Sequence, residues 1–309
     1  MRKKGCCSAH PIRAAQGRRR WAIDETAHPT PPLASPGTCR LIASESNRSP
    51  GKTGCSDSPA SMRRAPTGMK LLSYNIQACI GSRHYSDYLF GIRKQIAHSP
   101  VKDRTLRKIG SFISGFDIVC LQELDLGGRR GGFSSQFDAL KKISGFRFGA
   151  AQTTRIIPGV SQHGNAIFSR YPIDEVEEYR LPGRMKGRGL LVCTIKGHTV
   201  ANTHLSLYAK MQVRQLELIS EVLQGREKTI LAGDFNCRSA HPTIRNFATR
   251  SGLDLITGNT TNTYPSWKPT SDIDHIFVSR TIPYKKPEVL DVRLSDHLPL
   301  QTEFELLDQ

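Results

Sequence analysis

The chain has 309 residues, of which 38% are hydrophobic, and its formal net charge is +17 at pH 7. This composition suffices for a sizeable core in one large domain or two small ones, and without any run of about 18 apolar residues it predicts no transmembrane segment. The strong positive charge favours polyanionic partners, namely nucleic acid, anionic lipid headgroups or phosphorylated small molecules.

Residues 1–68 form a basic segment that lacks apolar periodicity. They hold twelve Lys or Arg residues and four acidic residues, a net charge of +8, which leaves +9 for residues 69–309. Because the segment is also rich in Pro and Ser, it cannot bury enough apolar surface to offset the entropy of ordering it, and we predict that it is disordered. Three explanations stay open: a basic arm, an organellar transit peptide, or a translation start at Met69.

From residue 69 onward, short apolar segments alternate with helical patterns, and we predict a single domain over 69–309. Strands are predicted at 70–77, 117–123, 147–154, 164–170, 189–196, 199–206, 229–235, 273–279, 288–294 and 299–306. Helices are predicted at 104–115, 134–144, 209–224 and 240–251. A turn at Gly197-His198 predicts an antiparallel pair of strands. The predicted fold class is α/β (α+β), a four-layer sandwich of two packed, mostly antiparallel β-sheets flanked by helices.

Eight cysteines occur without a C-x-x-C pair, which argues against a zinc ribbon. Cys120 and Cys193 lie inside apolar strands and are predicted to be small core residues. Because nothing in the spacing demands disulfides, a reducing cytoplasm is the expected location.

Two connections carry basic residues that core packing does not explain. Residues 78–104 mix Arg and Lys with aromatic side chains, a pattern that suits nucleic-acid binding but is more typical of a covered loop or a short helix. Residues 127–132, GGRRGG, follow directly after a strand that ends in Glu123. Arg129 and Arg130 in this loop are therefore candidates for substrate contacts.

Polar side chains stand at one end of the strand that leads into GDFN and of five further apolar strands. They are Asn75, Glu123, His204, the GDFN sequence at 233–236, and the Asp and His residues of DIDH (272–275) and SDH (295–297). Each alone has an ordinary explanation, since Asp and Asn are common in turns and a lone histidine is usually a hydrogen-bonded core residue. Five such strand ends are improbable as a coincidence, and rigid sheet ends are where functional side chains are held. We therefore predict one site built from them.

Seven sequence pieces together resemble a known family. They are SYNIQ (73–77), LQE (121–123), GNAIFSR (164–170), NTHLS (202–206), GDFN (233–236), DIDHIFVS (272–279) and SDHLP (295–299). In this order they resemble the endonuclease/exonuclease/phosphatase superfamily, which includes pancreatic-type deoxyribonucleases, abasic-site endonucleases, neutral sphingomyelinases and inositol phosphatases. The resemblance spans about 70 to 305. It implies a DNase I-like fold and hydrolysis of phosphodiesters or phosphomonoesters with a divalent metal.

The resemblance implies a metal site as well. Glu123 and Asp296 would hold the ion, and Asn75 would add an amide oxygen or hold a phosphate oxygen. These are hard oxygen ligands, which select Mg²⁺ or Mn²⁺ rather than zinc.

The resemblance also implies the catalytic roles. Asp234 would orient and deprotonate the attacking water, while Asn236 and His204 donate hydrogen bonds to phosphoryl oxygens. His297 would lie against the phosphate, paired with Asp274, which fixes its tautomer and favours the imidazolium. Extended backbone at the strand end would point Asp234 and Asn236 the same way. Family members differ on whether the Asp or the last His takes the proton, and we predict Asp234.

Departures from the family pattern bear on the substrate. His204 stands where abasic endonucleases usually have Tyr and where deoxyribonuclease- and sphingomyelinase-like members have His. The carboxylate partner that this His has in secreted deoxyribonucleases is not evident near GNAIFSR, where His163 and Asn165 stand instead. Trp267 precedes Asp274 by seven residues, whereas the abasic enzymes carry a Trp closer to that Asp. We predict that Asn165 and Trp267 contact the substrate, with a packing role for Trp267 left open.

The predicted function is that of a divalent-metal-dependent phosphodiesterase, first of all a nuclease, because the basic body favours DNA or RNA. A lipid or small-molecule phosphodiesterase or phosphatase, similar to sphingomyelinases, is the alternative that His204 keeps open. A catalytically silent binding module is the remote alternative, and the complete set of site residues argues against it. The substrate is the predicted partner, and a monomer is expected.

Overall fold

A computed structural model describes residues 17–19, 68–82, 84, 98–183 and 187–305. The segment 1–68, predicted to be disordered, lies outside the described residues apart from Gly17–Arg19, which form a short strand, and Gly68. Much of the basic and aromatic connection at 78–104 also lies outside them. Within the described part of the chain, no helix is long and apolar enough to cross a membrane.

The described residues form thirteen strands and four α-helices. The strands are β1 Gly17–Arg19, β2 Gly68–Asn75, β3 Ile118–Asp125, β4 Phe148–Ile157, β5 Ser161–Ser169, β6 Glu175–Arg180, β7 Gly189–Ile195, β8 His198–His204, β9 Thr229–Asp234, β10 Leu253–Leu255, β11 Asp274–Ser279, β12 Glu288–Val289 and β13 Leu300–Glu305. The helices are α1 Pro100–Ile113, α2 Gln136–Ser144, α3 Ala209–Leu223 and α4 Pro242–Ser251.

All four predicted helices are present. Helix α1 begins earlier than predicted, because the side chain of Ser99 accepts the N–H of Lys102 and Pro100 occupies the first turn. Ser135 caps α2, and Gly145 ends that helix with a φ of 73°. Local capping residues thus determine where these helices begin and end.

The strands form two mixed sheets. One has the order β1-β6-β7-β8-β9-β11-β10 and the other the order β12-β13-β2-β3-β5-β4. Among the strands that the structure describes, β8–β9 and β2–β3 are the parallel pairs, and the other pairs are antiparallel. Two packed sheets flanked by four helices confirm the predicted fold class.

Apolar side chains fill three layers of core. Leu71, Ile118 and Ile230 belong to a cluster between the two sheets, while two further clusters lie under α1 and α2 and under α3 and α4. Successive strand residues point to opposite faces, so the central strands are apolar on both. Cys120 and Cys193 are buried in this core and, like the other described cysteines, are free, whereas the cytoplasmic location stays a prediction.

Besides β1, which lies in the segment predicted to be disordered, three strands differ from the prediction. Strands β6 and β10 were not predicted, since four of the six β6 residues are charged and β10 has three residues. Strand β12 comprises Glu288–Val289 alone, although a strand was predicted over 288–294. Short or charged edge strands give little apolar signal.

The hairpin β7–β8 turns one residue earlier than predicted. The turn residues are Lys196 and Gly197, with φ of 49° and 71°, rather than Gly197 and His198. Positive φ at both positions is typical of type I′ turns, which match the twist of paired strands. This register pairs His204 with Gly189.

Strand register brings the polar strand ends together. His204, Asp234 and Asp274 are direct neighbours on β8, β9 and β11. In the other sheet, β2 and β3 run in parallel toward Asn75 and Glu123. The two sheets therefore present their polar residues at one edge of the sandwich.

Two buried amides tie the sheets together beneath this edge. Nε2 of Gln122 donates to Oδ1 of Asn202 at 2.8 Å, and Nδ2 of Asn202 donates to the carbonyl oxygens of Leu121 at 2.8 Å and Ala166 at 2.9 Å. Leaving a buried polar group unpaired costs about 1–3 kcal/mol. The amide contacts therefore favour one relative position of the sheets.

Gly233 occupies a position at this edge that excludes a side chain. Its φ is 152°, and a Cβ would lie 2.0 Å from the carbonyl oxygen of Thr203 on β8. We expect Gly233→Ala to lower the free energy of unfolding, measured by chemical denaturation, by more than the roughly 1–3 kcal/mol of backbone strain. Gly258→Ala is the control, since a Cβ there meets nothing within 4 Å. Equal losses in the two variants would contradict this explanation.

Candidate active site

The Asn75 side chain links the two sheets at the centre of the site. Its Nδ2 donates to Oδ2 of Asp234 at 3.0 Å, and its Oδ1 accepts the N–H of Gln77 at 3.0 Å. Burial raises the pKa of the nearby Glu123 carboxyl, and the Asn75 side chain opposes that rise. Asn75 thus positions the Asp234 carboxylate. Its oxygen keeps a second lone pair, and its role as a metal ligand stays a prediction.

Asp234 is the buried centre of the cluster, with 1% of its surface exposed. Besides the Asn75 amide, it accepts the N–H of Asn236 on Oδ1 at 2.9 Å. Burial raises the pKa of Asp234 to about 7, although the charge on His297 opposes the rise. A carboxylate with a pKa near neutrality is suited to accept a proton and release it again.

Asn236 reaches the site by a turn. Its φ is 50°, so the expectation that extended backbone aligns it with Asp234 is wrong. Instead its N–H closes onto the Asp234 carboxylate, a turn that Asp side chains favour. Nδ2 of Asn236 lies 3.0 Å from the carbonyl oxygen of Leu205 and 3.1 Å from Nε2 of His204. The turn thus places the amide beside His204.

His204 has an arginine partner where some family members have a carboxylate. Nη1 of Arg188 lies 2.9 Å from Nδ1 of His204. Because a guanidinium only donates, Nδ1 accepts, and the proton of the neutral ring is on Nε2. Burial and the charges of Arg188 and His297 lower the pKa of His204 well below its usual range. Nε2 lies 3.5 Å from Oδ2 of Asp234 and 3.9 Å from Oε1 of Glu123.

His297 and Asp274 form the pair that the sequence predicted. Nδ1 of His297 lies 2.8 Å from Oδ2 of Asp274, which also accepts the hydroxyl of Thr263. The ring packs against Tyr264, with centroids 4.9 Å apart. Burial acts to lower the pKa of His297, but the charges of Asp274 and Asp234 raise it well above its usual range. The ring is therefore an imidazolium, with Nε2 3.7 Å from Oδ2 of Asp234.

Sequence reasoning missed three residues of this cluster: Arg188, Thr263 and Tyr264. The last two belong to the TYPSW stretch, in which Trp267 was the predicted substrate residue. Trp267 is half-buried and does not belong to the lining of the cavity beside His204. Its substrate role stays a prediction.

Glu123 and Asp296 are the metal ligands that the sequence predicted, and this role stays a prediction. Glu123 has a φ of 60° at an irregularity of β3 between Leu121 and Leu124, and 35% of its side chain is exposed. Burial and the negative charge of Asp296 raise the pKa of Glu123. The two negative charges repel each other, and a bound divalent cation would relieve this repulsion. Carboxylate oxygens are ligands that hard cations such as Mg²⁺ prefer.

A second group of possible ligands lies deeper. Ligand atoms of Asp234, Asp274 and His297 lie within 4.8 Å of one another. However, Nδ1 of His297 is engaged with Asp274, and a protonated imidazole has no lone pair to offer a metal. In the absence of a bound ion, this hydrogen-bonded pair thus occupies the deeper group, and Glu123 with Asp296 stays the predicted metal site.

The two arginines of the GGRRGG loop have different surroundings. Arg130 is buried, and its Nε donates to Oδ2 of Asp125 at 2.7 Å. The predicted substrate contact of Arg130 is therefore wrong, because its guanidinium is turned inward to a buried carboxylate. Arg129 is exposed in a short 3₁₀ turn, and its substrate contact stays a prediction.

A cavity of about 200 Å³ opens beside Glu123 and His204. Asn165 lines it, and its Nδ2 donates to the carbonyl oxygen of Gly189 at 3.2 Å. The other polar lining residues are Thr154, Arg155, His163, Arg188, Ser206 and Tyr208. The position of Asn165 is thus compatible with its predicted substrate role.

Residues 72–297 match the model of the Endonuclease/Exonuclease/phosphatase family. The chain belongs to this family. Its members are hydrolases of phosphoester bonds and generally use a divalent metal ion. The family assignment made from the seven motifs is confirmed.

Relatives within the Endonuclease/Exonuclease/phosphatase family include the uncharacterised protein YbhP of Escherichia coli K12. It is 34% identical over 166 residues, which are 47% of this chain and 63% of that protein, less than two thirds of its length. A family protein from Beutenbergia cavernae has a TM-score of 0.61 at 20% identity, covering 77% of this chain and 72% of that one. A mannosyl-6-phosphatase from Bacteroides thetaiotaomicron has a TM-score of 0.57 at 22% identity, covering 77% and 100%. At these identities, the two structures show a common fold alone.

Proposed function

We propose that this family member is a divalent-metal-dependent phosphoesterase that cleaves phosphodiester bonds, with DNA or RNA as its first substrate class. One observation carries the proposal. Asp234 is hydrogen-bonded to Asn75 and Asn236, with Nε2 of His204 at 3.5 Å and Nε2 of His297 at 3.7 Å. This arrangement combines a proton acceptor with several hydrogen-bond donors, as phosphoryl transfer to water requires.

Each side chain has a task in the proposed reaction. Asp234 holds the attacking water and accepts its proton while the bond from the water oxygen to phosphorus forms. The bond from phosphorus to the leaving alcohol oxygen breaks, and that oxygen takes a proton from solvent water. Nδ2 of Asn236 and Nε2–H of His204 donate to phosphoryl oxygens. The imidazolium of His297, held by Asp274, offsets the negative charge on the phosphate.

The electrostatics of the two histidines support Asp234 as the acceptor. His297 carries its proton because Asp274 and Asp234 raise its pKa, so at neutral pH it donates. His204 is neutral, with its only free lone pair directed to Arg188. The raised pKa of Asp234 suits it to the remaining role of base.

A divalent cation, Mg²⁺ or Mn²⁺, would be held by the oxygen donors of Glu123 and Asp296. When bound, the ion would supply Lewis-acid stabilisation of a phosphoryl oxygen. The two carboxylates belong to different parts of the fold: Glu123 lies on β3 and Asp296 in the loop before β13. Cation binding would thus stabilise one relative position of these elements.

Charge supports nucleic acid as the substrate class. Residues 69–309 carry a net charge of +9 and residues 1–68 carry +8, and duplex DNA presents one negative charge per about 1.7 Å of its axis. A small phosphoester is the second candidate. The cavity beside His204 favours it, because a concave site of about 200 Å³ fits a small chemical group better than a duplex.

Nicking of supercoiled plasmid by the full chain tests the proposal. We expect relaxed circles with Mg²⁺ or Mn²⁺ and none with EDTA, because the phosphoryl charge is then left without a cation. The same samples are assayed in parallel with bis(p-nitrophenyl) phosphate. This second substrate reports phosphodiester cleavage that needs no nucleic acid.

The two assays separate the parts of the proposal. Cleavage of both substrates supports a nuclease, and cleavage of the small diester alone moves the assignment to small phosphoesters. If the folded protein with metal cleaves neither substrate, the phosphodiesterase proposal is contradicted. Folding is checked by the cooperative unfolding transition of the same preparation.

A further inference from the structure

The cavity beside the candidate active site contains two arginines without acidic partners. Arg155 and Arg188 both line it, together with Glu123 and His204 at its catalytic end. In the part of the chain that the structure describes, neither arginine forms an ion pair with a carboxylate. The wall that bears them therefore has unneutralised positive charge.

Arg188 is half-buried, and a cation in that position ordinarily has a partner. One of its nitrogens donates to Nδ1 of His204 at 2.9 Å, which leaves further guanidinium N–H groups available. The charges of Glu123 and Asp234 act on Arg188 from beyond ion-pair distance. An anion in the cavity would meet this guanidinium directly.

Arg155 reaches the same cavity because of an irregularity in β4. The register of β4 against β5 shifts between Thr153 and Arg155. In a regular strand, Thr154 and Arg155 would point to opposite faces, but both line the cavity. A Cβ on Gly187 would lie 3.1 Å from two carbons of Arg155, so Gly187 packs along its side chain. Such bulges are a known way to re-aim a side chain beside an active site.

The pKa of His163 reflects the positive charge of this wall of the cavity. Burial and the charges of Arg130, Arg155 and Arg188 lower the pKa of His163 to about 4, although Asp125 acts in the opposite direction. His163 is therefore neutral at pH 7 and offers hydrogen bonds without adding charge. At the mouth, Tyr208 is 65% exposed and provides a flat apolar face.

We propose that this cavity binds a second phosphate group of the substrate, beside the phosphate that is cleaved, with Arg155 and Arg188 as its anchors. The inference rests on the proposed phosphoesterase function and specifies its substrate class. Guanidinium groups match phosphate oxygens with paired, charge-assisted hydrogen bonds. The volume of about 200 Å³ is below the roughly 300–1,000 Å³ of pockets for drug-sized ligands. It suits one phosphate with part of a sugar.

Two substrates that differ by one phosphate provide the test. One is the p-nitrophenyl ester of thymidine 5′-phosphate, and the other is the same molecule with an added 3′-phosphate. We expect the full-length wild-type protein with Mg²⁺ to have a kcat/KM about 10-fold to 100-fold higher for the second, the range of a hydrogen bond to a charged group. We expect Arg155→Gln to bring the ratio of the two kcat/KM values close to one, chiefly through KM.

Arg147→Gln is the matched control. Arg147 directly precedes β4, whereas Arg155 is near its other end, and Arg147 is exposed and lies over the ring of Phe148 rather than in the cavity. Both substitutions remove one positive charge, so a general loss of attraction to anions would affect the two variants alike. We expect the Arg147→Gln variant to retain the wild-type ratio.

The source of the second phosphate is distinguished by a third substrate, in which the 3′-phosphate is esterified to another thymidine. A preference for this internucleotide diester indicates a nucleic-acid strand. A preference for the terminal monoester indicates a small bisphosphorylated molecule. Either preference, if Arg155→Gln removes it, supports the proposal.

Binding without turnover gives an independent measurement. Pyrophosphate is titrated calorimetrically into metal-free protein in EDTA, and we expect Arg155→Gln to bind about 10-fold or more weakly than wild type and Arg147→Gln. If the diesters are cleaved but the added phosphate and Arg155→Gln change nothing, the second-phosphate site is contradicted while the phosphoesterase stands. If no diester is cleaved, the phosphoesterase proposal fails, and the titration alone decides whether the cavity binds an anion.

Discussion

Asp234→Asn is expected to lower kcat for phosphoester hydrolysis by about 10²-fold to 10⁴-fold, the usual contribution of a positioned base. The substitution keeps the size of the side chain and an oxygen that accepts the N–H of Asn236, so the turn at the end of β9 is retained. It removes the group that takes the proton of water. The measurement is kcat at saturating Mg²⁺, with unfolding by denaturant as the check on folding.

Asp272→Asn is the control for this prediction. Asp272 is also a buried carboxylate, but it accepts the N–H of Ser239 at 3.2 Å and the Ser239 hydroxyl. We expect it to lower the free energy of unfolding while kcat stays near the wild-type value. If Asp234→Asn retains kcat within about tenfold of wild type, Asp234 is not the base.

Much of the site could be predicted because its residues end apolar strands. Asp234 directly follows a run of buried residues on β9, and Asn75 ends β2 in the same way. A strand and the side chain that it presents are both local features of the chain. Convergence of the two sheets then follows from the order of the motifs, which is why the cluster and the fold could be predicted together.

Arg188 could not be predicted in this way, because its partner depends on the register of a hairpin. It belongs to the sequence stretch LPGRMKGRG and precedes β7 directly. With the turn at Gly197-His198, as the sequence indicated, His204 would pair two residues further along β7. The observed turn at Lys196-Gly197 pairs His204 with Gly189 and so brings Arg188 beside it.

Loop residues account for the other differences. Arg130 lies in a glycine-rich loop that looked open, but its guanidinium turns toward Asp125, whose carboxylate is buried. Asn236 enters the site through a positive φ that a strand pattern does not predict. Loop conformations depend on contacts with distant residues, so composition predicts that a loop is near the site but not where its side chains point.

Glu123→Gln is expected to abolish most divalent-metal binding and, with it, activity. Losing a direct ligand should weaken Mn²⁺ binding by more than the roughly 10-fold to 100-fold typical of outer partners. Without metal, the same substitution should leave the stability of the folded protein unchanged or raise it. Burial and Asp296 raise the pKa of Glu123, so its charged form is disfavoured in the folded state at neutral pH, and the substitution removes that charge.

Thermal unfolding shows both effects without an activity assay. In EDTA, Glu123→Gln should unfold at the wild-type temperature or above it, and added Mn²⁺ should raise that temperature much less than in wild type. Glu217→Gln is the control, because Glu217 is exposed on α3 and pairs with Arg250 at 3.6 Å. If Mn²⁺ stabilises Glu123→Gln as much as wild type, the ion binds elsewhere. The group of Asp234, Asp274 and His297, with ligand atoms within 4.8 Å of one another, would then hold the metal, and Asp234 would be a ligand rather than the base.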